Sequence, residues 1–575
     1  MLLEEITIEN FCSCAHVNIP LSAFSPVIGY NNAGKSNILR AIVWLLRKSS
    51  LSSSKFNDIN SRVVVSGVIF DPDISMLPPN QQAQIGKFVS NSRLTFRRIQ
   101  ETPNARAVDI KLEVLDPATG NWAANPTGID NAIAVLFPEP IFIEAMDDAS
   151  ADVSQFAAKN TIGLLLKNTM EQIRLQNAPA LAALTNALSA AASHLNGPQR
   201  IAEFALLESA ATTALNDFFP GLCVHLGMQS PTLEDVVKTA SLDLSDAQGL
   251  KLGFTSYGHG TQRSVQMALI NLLANQVRPA AQGQTTTLLL IDEPELYLHP
   301  HAVELLRDSL QKISGTGFQI VLTTHSPLVI GDRILDTIIA FKNQQGHTEV
   351  RQKMTSAANS LQNMAHHAGV VFSLQNSSYL LFSESVVIVE GKTEKMLVPD
   401  MYQAIRKMSL ARSKTCLIEV CGSSSIAPTM DVLLAVGFKS KAIVDLDYLF
   451  KKAPNFVQNL TSDTDFLACK AWFSANSATI GFKLGGDGFP EKNGTFSAAA
   501  VFELMAKAMP LEVQRLASRL LVKGFWVWTL GAIEAHLGIE KTDADRMVFA
   551  NSTRTNGNLS HANDAANLTA CMNWI

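Results

Sequence analysis

Residues 26–36 read Pro-Val-Ile-Gly-Tyr-Asn-Asn-Ala-Gly-Lys-Ser, a short apolar run that continues into the pattern G-x-x-x-x-G-K-S. An amphipathic helical run follows at residues 38–46. A strand, a glycine-rich loop and a helix in this order form a phosphate-binding loop, because the loop N–H groups close around phosphates at the helix N-terminus. The segment therefore predicts an α/β domain that binds ATP. The predicted contacts with the nucleotide are Gly29, Asn31, Asn32, Gly34, Lys35, Ser36 and Asn37.

Two further apolar runs end in polar residues that suit ATP hydrolysis. Residues 287–293 read Thr-Leu-Leu-Leu-Ile-Asp-Glu, and residues 320–326 read Ile-Val-Leu-Thr-Thr-His-Ser. In a P-loop protein, Lys35 is expected to reach the β- and γ-phosphates, and Asp292 to share Mg²⁺ with the Ser36 hydroxyl. We expect Glu293 to polarise the attacking water and His325 to contact the γ-phosphate.

A third segment, Ser256-Tyr257-Gly258-His259-Gly260-Thr261-Gln262-Arg263, opens a helical run before these acids. Glycines and a serine at a helix N-terminus make an anion site, so Ser256, Gly258 and Gly260 are predicted to contact a nucleotide. An ordinary helix start would give the same pattern.

Four carboxylates follow two other apolar runs nearer the C-terminus. Residues 386–394 read Val-Val-Ile-Val-Glu-Gly-Lys-Thr-Glu, and residues 442–447 read Ala-Ile-Val-Asp-Leu-Asp. Such runs are typical of strands buried on both faces of a parallel sheet, and side chains just past their ends line the crevice where these sheets place their sites. We expect the acids to bind Mg²⁺ or Mn²⁺ there, since these ions prefer oxygen ligands, and the site to cut or rejoin a phosphodiester. The four acids are Glu390, Glu394, Asp445 and Asp447.

The composition indicates a large folded protein. The chain has 575 residues, of which 47% are hydrophobic, so two or more domains are expected. Its net charge of −5 does not indicate a nucleic-acid-binding protein, although a local basic patch would be enough to bind a nucleic acid. The N-terminus does not read as a signal peptide, no apolar stretch reaches membrane-spanning length, and the seven cysteines are scattered. We therefore expect a reduced, cytoplasmic protein with no membrane contact.

Basic residues cluster in sequence around the C-terminal acids. They form either a solvated surface or a stripe that grips a DNA backbone. They are Arg406, Lys407, Arg412, Lys414, Lys439, Lys441, Lys451 and Lys452.

Residues 156–239 differ in composition from the sequence on either side. Stretches such as 178–195 and 201–219 are rich in Ala and Leu at helical spacing. We interpret the segment as a helical arm inserted between two halves of the ATPase. The arm serves either dimerisation or internal packing.

Together these segments resemble known families. The start Ile-Thr-Ile-Glu-Asn-Phe, the P-loop, the segment 256–263, Leu-Leu-Leu-Ile-Asp-Glu-Pro-Glu and Thr-Thr-His-Ser are similar to ABC-type ATPases of the RecF and SMC group. Residues 380–575 resemble a Toprim domain. An ABC-type ATPase followed by a Toprim domain resembles the overcoming-lysogenisation-defect (OLD) family of nucleases. The resemblance implies an α/β fold with an ATPase domain at 1–155 and 240–375, the inserted helical arm at 156–239, and a Toprim nuclease domain at 380–575.

The OLD resemblance also implies the chemistry. Family members cut or nick DNA with divalent metals, and several act in defence against phages. A further acid usually completes the metal site; Glu534 matches it here, although an acid in the first turn of a helix is also ordinary. Many relatives carry a Lys just before that acid, where this chain has Leu530-Gly531, so Lys523, Lys541 or a basic group from elsewhere in the chain would have to substitute.

We therefore predict an ATP-regulated endonuclease that depends on Mg²⁺ or Mn²⁺ and acts on double-stranded DNA as a homodimer or a larger homo-oligomer. ATP would lie between the P-loop of one subunit and the segment 256–263 of another. An ATP-driven DNA clamp without cleavage and Toprim-type strand passage remain alternatives, and the sequence identifies no accessory protein. The predicted catalytic residues are Glu390, Asp445, Asp447, Glu293 and His325.

Overall fold

The computed structural model describes residues 1–124, 128–137, 140–144, 178–196, 200–216, 218–219, 221–226, 243–245, 249–276, 286–314, 317–330, 336–351, 380–420, 422–492 and 495–575. Contacts divide the chain into two compact units, Met1–Pro26 with Ser36–Gly331 and Val27–Lys35 with Asp332–Ile575. The fold is mixed α/β, which confirms the predicted class. None of the helices in these ranges is long and apolar enough to cross a bilayer.

Strands and helices alternate along much of the chain. The strands are β1 (Leu2–Phe11), β2 (Cys14–Pro20), β3 (Phe24–Ile28), β4 (Val63–Phe70), β5 (Arg93–Gln100), β6 (Lys111–Leu115), β7 (Trp122–Ala124), β8 (Ile141–Ile143), β9 (Asp243–Ser245), β10 (Lys251–Gly253), β11 (Thr287–Asp292), β12 (Phe318–Thr324), β13 (Ile338–Lys342), β14 (Thr348–Val350), β15 (Ser385–Val389), β16 (Thr415–Glu419), β17 (Lys439–Val444), β18 (Lys483–Leu484), β19 (Pro490–Glu491) and β20 (Phe525–Val527). The helices are α1 (Lys35–Leu46), α2 (Pro79–Gly86), α3 (Ile129–Leu136), α4 (Ala178–Asn196), α5 (Ala202–Asn216), α6 (His259–Gln276), α7 (Pro300–Ile313), α8 (Pro327–Ile330), α9 (Lys392–Arg406), α10 (Ile426–Ala435), α11 (Leu446–Lys451), α12 (Thr464–Ile480), α13 (Ala498–Ala508), α14 (Pro510–Leu521), α15 (Ile533–Leu537), α16 (Asp543–Asn556) and α17 (Ala565–Trp574).

An antiparallel sheet of six strands, in the order β2-β1-β4-β5-β6-β7, belongs to the first unit. Ile6 and Ile8 of β1 are fully buried while the residue between them is not, which is the period-two pattern of a strand with one covered face. Helix α1 packs on β4 at Gly67, where a Cβ atom would lie 2.7 Å from Leu45 Cδ2. Gly67 therefore allows α1 to approach the sheet closely.

A second sheet carries residues of the predicted ATP site. In the first unit its strands follow the order β3-β12-β11-β8, and β11 pairs in parallel with both β12 and β8. Every residue of β11 and β12 is buried, as expected of central strands that are covered on both faces. Asp292 ends β11, and His325 directly follows β12. In the second unit, the last residues of β3 pair with β13, which pairs with β14.

The C-terminal part of the second unit contains a parallel sheet of four strands in the order β16-β15-β17-β20. Strand β15 is buried from Val386 to Val389, as its apolar sequence requires. Because β15 and β17 are parallel neighbours, Glu390 and Asp445 follow their strands at the same edge of the sheet.

A cluster of phenylalanine side chains joins the helices beside this sheet. The rings of Phe473 and Phe502 are 5.1 Å apart at 73°, and those of Phe450 and Phe466 are 5.3 Å apart. Phe489 completes the cluster, which we call the Phe cluster. Since Phe450 lies on α11, the short helix that begins directly after Asp445, the Phe cluster anchors one side of the acidic edge.

Two helices fall within the predicted arm. Helices α4 and α5 are described, whereas residues 156–177 and 227–239 lie outside the described residues. Leu206 and Leu207 of α5 are 68% and 58% exposed, so α5 presents apolar side chains on its surface. The predicted boundaries of the arm and of the two domains stay predictions.

We predict that Phe473→Ala destabilises the second unit by about 3–5 kcal/mol, because truncating a fully buried aromatic side chain removes contacts and leaves a cavity. The control Leu467→Ala lies on the same helix, but Leu467 is 50% exposed, so it should cost about 0.5 kcal/mol or less. Urea unfolding followed by circular dichroism compares both variants with the wild type. Equal unfolding midpoints for the two variants would contradict the anchoring role of the Phe cluster.

Candidate active sites

The Ser36 hydroxyl meets the acid at the end of β11. Ser36 Oγ donates to Asp292 Oδ1 at 3.0 Å, and Thr323 Oγ1 donates to the same carboxylate oxygen. The start of α1 and the end of β11 thus bring together two residues that are 256 positions apart in the sequence. A hydroxyl and a carboxylate in contact are the protein groups that hold Mg²⁺ in P-loop enzymes.

The next acid, Glu293, has a left-handed backbone conformation with φ of 47°. Its N–H donates to the carbonyl and hydroxyl oxygens of Thr323, each at 3.1 Å. Its Oε1 lies 3.3 Å from His325 Nε2. Non-glycine residues in this conformation concentrate at functional sites. The structure therefore brings together Glu293 and His325, two residues that the sequence predicted to be catalytic.

The P-loop makes a tight turn in the second unit. Gly29 has φ of 152°, and a Cβ atom there would lie 2.2 Å from the carbonyl oxygen of Ala340, so a larger residue does not fit. Lys35 is buried, and its Nζ donates to the carbonyl oxygens of Gly29 and Tyr30 at 3.2 and 3.4 Å. The Lys35 side chain thus folds back onto the P-loop, where the phosphates of ATP are predicted to bind.

The other predicted phosphate contacts differ in their surroundings. Asn31 and Asn32 are exposed at the tip of the loop, and Gly34 has φ of 98°. Asn37, in the first turn of α1, donates through Nδ2 to Ser13 Oγ at 3.0 Å. The side-chain amide of Asn37 therefore contacts the turn between β1 and β2.

The segment 256–263 enters helix α6. Ser256 ends a short 3₁₀ turn, Gly258 directly precedes α6, and Gly260 lies in its first turn. A Cβ atom at Gly260 would lie 2.7 Å from the carbonyl oxygen of Tyr297, whereas one at Gly258 would meet nothing within 4 Å. Gly260 therefore permits close packing against the loop after β11, and Gly258 leaves the helix N-terminus open.

The C-terminal acids come from separate elements of the second unit. Glu390 directly follows β15, and Glu394 lies in the first turn of α9. Asp445 directly follows β17, and Asp447 lies in the first turn of α11. Glu534 lies in the first turn of α15, near the end of β20. Glu394 and Glu534 are only 4% and 8% exposed.

Among the described residues, buried carboxylate oxygens that accept no hydrogen bond include Glu390 Oε2, Asp445 Oδ1 and Glu534 Oε2. Buried polar atoms normally have partners, so the oxygens of Glu390 and Asp445 fit a bound cation, whereas Glu534 Oε2 already lies 3.4 Å from the Lys541 ammonium. A donor set made only of carboxylates favours Mg²⁺ or Mn²⁺ over zinc. As the side chains stand, no three His, Cys, Asp or Glu residues in the described ranges are assembled closely enough to hold an ion by themselves. The acids therefore fit a divalent metal by chemistry and burial rather than by completed coordination geometry.

Burial and mutual repulsion disfavour the ionised form of these acids. Burial, and after it the charge of Glu534, raises the pKa of Glu394 to about 7. Burial together with Glu394 and Glu390 raises the pKa of Asp445 well above its usual range, and burial together with Asp447 raises the pKa of Glu390. A nearby cation favours the ionised form of a carboxyl group and would oppose each rise.

Lys541, rather than Lys523, stands beside the acids. Its Nζ lies 3.4 Å from Glu534 Oε2, and its positive charge partly opposes the rise that burial causes in the pKa of Asp445. Lys523 precedes β20 and so lies at the amino end of the parallel sheet. The structure thus distinguishes the two candidates that the sequence left open.

The connection between β20 and α15 is fixed by a buried histidine. His536 Nε2 accepts a hydrogen bond from Leu530 N at 3.1 Å, and His536 Nδ1 lies 2.8 Å from Asp564 Oδ2. The carbonyl oxygen of Gly531 accepts from Leu446 N at 2.7 Å. The last of these bonds ties the segment before α15 to Leu446, which lies between Asp445 and Asp447.

Sequence reasoning did not single out several residues that contact the acids. Thr393 Oγ1 donates to Glu534 Oε1 at 2.6 Å, and Trp528 Nε1 is 3.3 Å from Glu394 Oε1. Thr393 lies between two of the predicted acids in the sequence, and this position was a signal that could have drawn attention to it. For Trp528 no such signal exists, because tryptophan in an apolar run is typical of a core.

Family models match both halves of the chain. Residues 381–447 match the family described as "Overcoming lysogenization defect protein-like, TOPRIM domain". Residues 1–73 match an "AAA ATPase domain", and residues 141–331 match an "AAA domain". The Smc head bound to the C-winged helix domain of ScpA has a TM-score of 0.38 at 15% identity, covering 61% of this chain and 97% of that chain. That likeness is too distant to support a conclusion.

Two nucleases are similar to the chain over most of its length. The "OLD nuclease" of Thermus scotoductus is 21% identical over 426 residues, covering 70% of this chain and 74% of that protein. The "Old nuclease" of Escherichia phage P2 is 33% identical over 556 residues, covering 94% of each chain. The chain therefore belongs to the overcoming-lysogenisation-defect (OLD) nuclease family, and it is an ATPase-linked nuclease with a C-terminal Toprim domain.

Proposed function

We propose that this chain is a Mg²⁺- or Mn²⁺-dependent endonuclease of double-stranded DNA, and that ATP regulates its cutting. The observation that carries the proposal is the set of buried carboxylate oxygens of Glu390, Asp445 and Glu534 that accept no hydrogen bond, of which the Glu534 oxygen is paired with the Lys541 ammonium. Together with Glu394 and Asp447, these acids would hold the metal. When bound, such a metal supplies an activated water and neutralises charge on the leaving oxygen.

Basic side chains near the acids would hold the DNA backbone. Lys541 would place a positive charge beside the phosphate. The positive charge of Lys452 acts on Glu390, where it opposes the rise in pKa that burial causes. Lys414 directly precedes β16 and Lys439 is the first residue of β17, so both lie at the opposite ends of these strands from the acids. The basic cluster seen in the sequence is therefore divided, and we assign phosphate binding only to its members on the acidic side.

Strand passage by the same domain would require an accessible nucleophilic tyrosine. Tyr448, which directly follows Asp447, is 1% exposed and stacks on Phe525 at a ring distance of 5.7 Å. Burial raises the pKa of Tyr448, so its phenolate is disfavoured. These observations favour hydrolysis over strand passage.

For the ATP site, we assign phosphate binding to the P-loop with Lys35, and Mg²⁺ binding to Ser36 and Asp292. Glu293 would polarise water, with His325 beside it. We propose a dimer in which the open N-terminus of α6 in one subunit contacts the nucleotide of the other. The exposed leucines of α5 are suited to an additional contact between subunits.

We further propose a role in phage defence or exclusion within the cytoplasm. A relative from a phage is consistent with such a role. The cysteines of the described ranges are free thiols, as expected in a reducing compartment.

We predict that Asp445→Asn reduces nicking of supercoiled plasmid by about 100-fold or more while ATP hydrolysis continues, because only the nuclease site loses a metal ligand. The control Glu491→Gln removes an exposed carboxylate of β19 and should cut normally. EDTA should stop wild-type cutting, and Mg²⁺ or Mn²⁺ should restore it better than zinc.

Wild-type cutting by folded Asp445→Asn would exclude the Toprim site as the nuclease centre. Ladders of topoisomers from the wild type would indicate strand passage. A shift in plasmid mobility without cutting would indicate a clamp.

We predict that Lys35→Ala abolishes ATP hydrolysis without unfolding the chain, because Lys35 supplies the positive charge at the predicted phosphates. Lys48→Ala removes an exposed lysine just past α1 and is the matched control. Phosphate release and circular dichroism measure the two properties. A folded Lys35→Ala variant with undiminished hydrolysis would refute the assignment of the ATP site.

We predict that Glu293→Gln slows ATP hydrolysis but retains ATP binding. The ATP-bound dimer should therefore accumulate when ATP is added. The amide keeps the shape of the carboxylate and loses its ability to polarise water. Glu304→Gln, at an exposed position of α7, is the control. Sedimentation velocity with ATP reports the dimer, and hydrolysis at the wild-type rate would contradict the role of Glu293.

A further inference from the structure

We propose that Arg546 and Thr393 are positioning residues of the nuclease site, which together fix the carboxylate of Glu534 for a divalent cation. The inference rests on the proposed metal site and extends it to two side chains that do not touch the metal. We call the path from Arg546 through Thr393 to Glu534 the relay.

The hydrogen bonds of the relay run in one direction. Arg546 Nε donates to Thr393 Oγ1 at 2.9 Å, and Thr393 Oγ1 donates to Glu534 Oε1 at 2.6 Å. A guanidinium nitrogen can only donate, and a threonine hydroxyl has a single proton. With Arg546 as donor, the proton of Thr393 is directed to Glu534. Glu534 Oε1 is therefore held as an acceptor, while Oε2 accepts no hydrogen bond, lies 3.4 Å from Lys541 Nζ, and is the oxygen that a metal would share with this lysine.

Burial makes the relay rigid. Thr393, Glu534 and Arg546 are 4%, 8% and 9% exposed, so water does not compete freely for their hydrogen bonds. Removal of the Thr393 hydroxyl would leave Arg546 Nε without its acceptor and Glu534 Oε1 without its donor. Both losses are costly at a buried site.

The relay also joins helices that are distant in the sequence. Arg546 lies on α16, Thr393 lies at the start of α9 beside Glu394, and Glu534 lies on α15. Two metal-binding acids on different helices need a link that fixes their separation. The relay supplies it from α9 to α15.

An outer ion pair supports Arg546. Its Nη1 donates to Asp543 Oδ1 at 2.7 Å. Lys392 Nζ also donates to Asp543, at 3.0 Å to Oδ1 and 2.9 Å to Oδ2. Lys392 directly precedes Thr393, so the contacts form a closed path between α9 and α16. Because Asp543 and Lys392 are mostly exposed, we assign the main effect to the buried relay.

The test compares Thr393→Val, which keeps the shape of the side chain, with Thr393→Ser, which keeps the hydroxyl. Arg546→Lys keeps the charge and loses the guanidinium Nε. The control Arg554→Met lies on the same helix and removes an exposed arginine that pairs with Asp400. Equilibrium dialysis of the full chain with Mn²⁺, without DNA or nucleotide, gives metal affinity independently of cutting. Plasmid nicking gives the half-saturating metal concentration, and circular dichroism gives the unfolding midpoint.

We expect Thr393→Val and Arg546→Lys to weaken Mn²⁺ binding by about 10- to 100-fold and to raise the half-saturating metal concentration in proportion, the usual effect of losing an outer partner of a metal ligand. Nicking at saturating metal should largely recover. Thr393→Ser and Arg554→Met should behave as the wild type.

Wild-type Mn²⁺ affinity in folded Thr393→Val would overturn the relay, and so would equal impairment of Thr393→Ser and Thr393→Val. If either result is found while Asp445→Asn is inactive, the relay fails and the proposed function stands. If Asp445→Asn also binds Mn²⁺ and cuts normally, the metal site itself is refuted.

Discussion

The concentration of negative charge at one edge of the C-terminal sheet is the constraint on which the nuclease half depends. Burial and like charges raise the pKa of Glu390, Glu394 and Asp445, so these acids resist being ionised together. Donors from other elements hold two acids of the site: the indole of Trp528 donates to Glu394, and the hydroxyl of Thr393 and the ammonium of Lys541 contact Glu534. The Phe cluster holds α11, the helix that begins directly after Asp445. Such an arrangement is costly without a cation, and it suits a metal-dependent phosphodiesterase.

The ATPase half uses the same chemistry for a different ligand. Ser36 and Asp292 are in direct contact, and Glu293 and His325 lie together at the ends of neighbouring strands. None of these residues belongs to the C-terminal acids, so in the proposed function nucleotide binding and DNA cutting would have separate ligand sets. ATP can regulate cutting only if it binds two arrangements of the protein with different affinities. A dimer with nucleotide between its subunits would provide two such arrangements, because it links the bound nucleotide to subunit contacts.

The sequence predicted the features that depend on local patterns. Apolar runs located β11, β12, β15 and β17, and the P-loop pattern located α1. Contacts between distant residues were not predictable. Lys541 and Lys523 were equal candidates until the parallel sheet placed them at opposite ends of the strands, and Arg546 reads as a solvated helix residue although it reaches Thr393 across 153 positions. The Pro and Asn residues within 72–92 are typical of a loop, yet Pro79–Gly86 form a short helix. Residues 156–177 and 227–239 of the predicted arm lie outside the described residues.

The binding of Mn²⁺ by the full chain in the absence of nucleotide tests the central claim most directly. Electron paramagnetic resonance counts free and bound Mn²⁺, and a chain in which Glu390→Gln and Asp445→Asn are combined provides the comparison. The account predicts that the wild type binds Mn²⁺ and that the combined variant, still folded and still able to bind ATP, loses this binding. Equal Mn²⁺ binding by the two proteins would contradict the assignment of the metal site to the C-terminal acids.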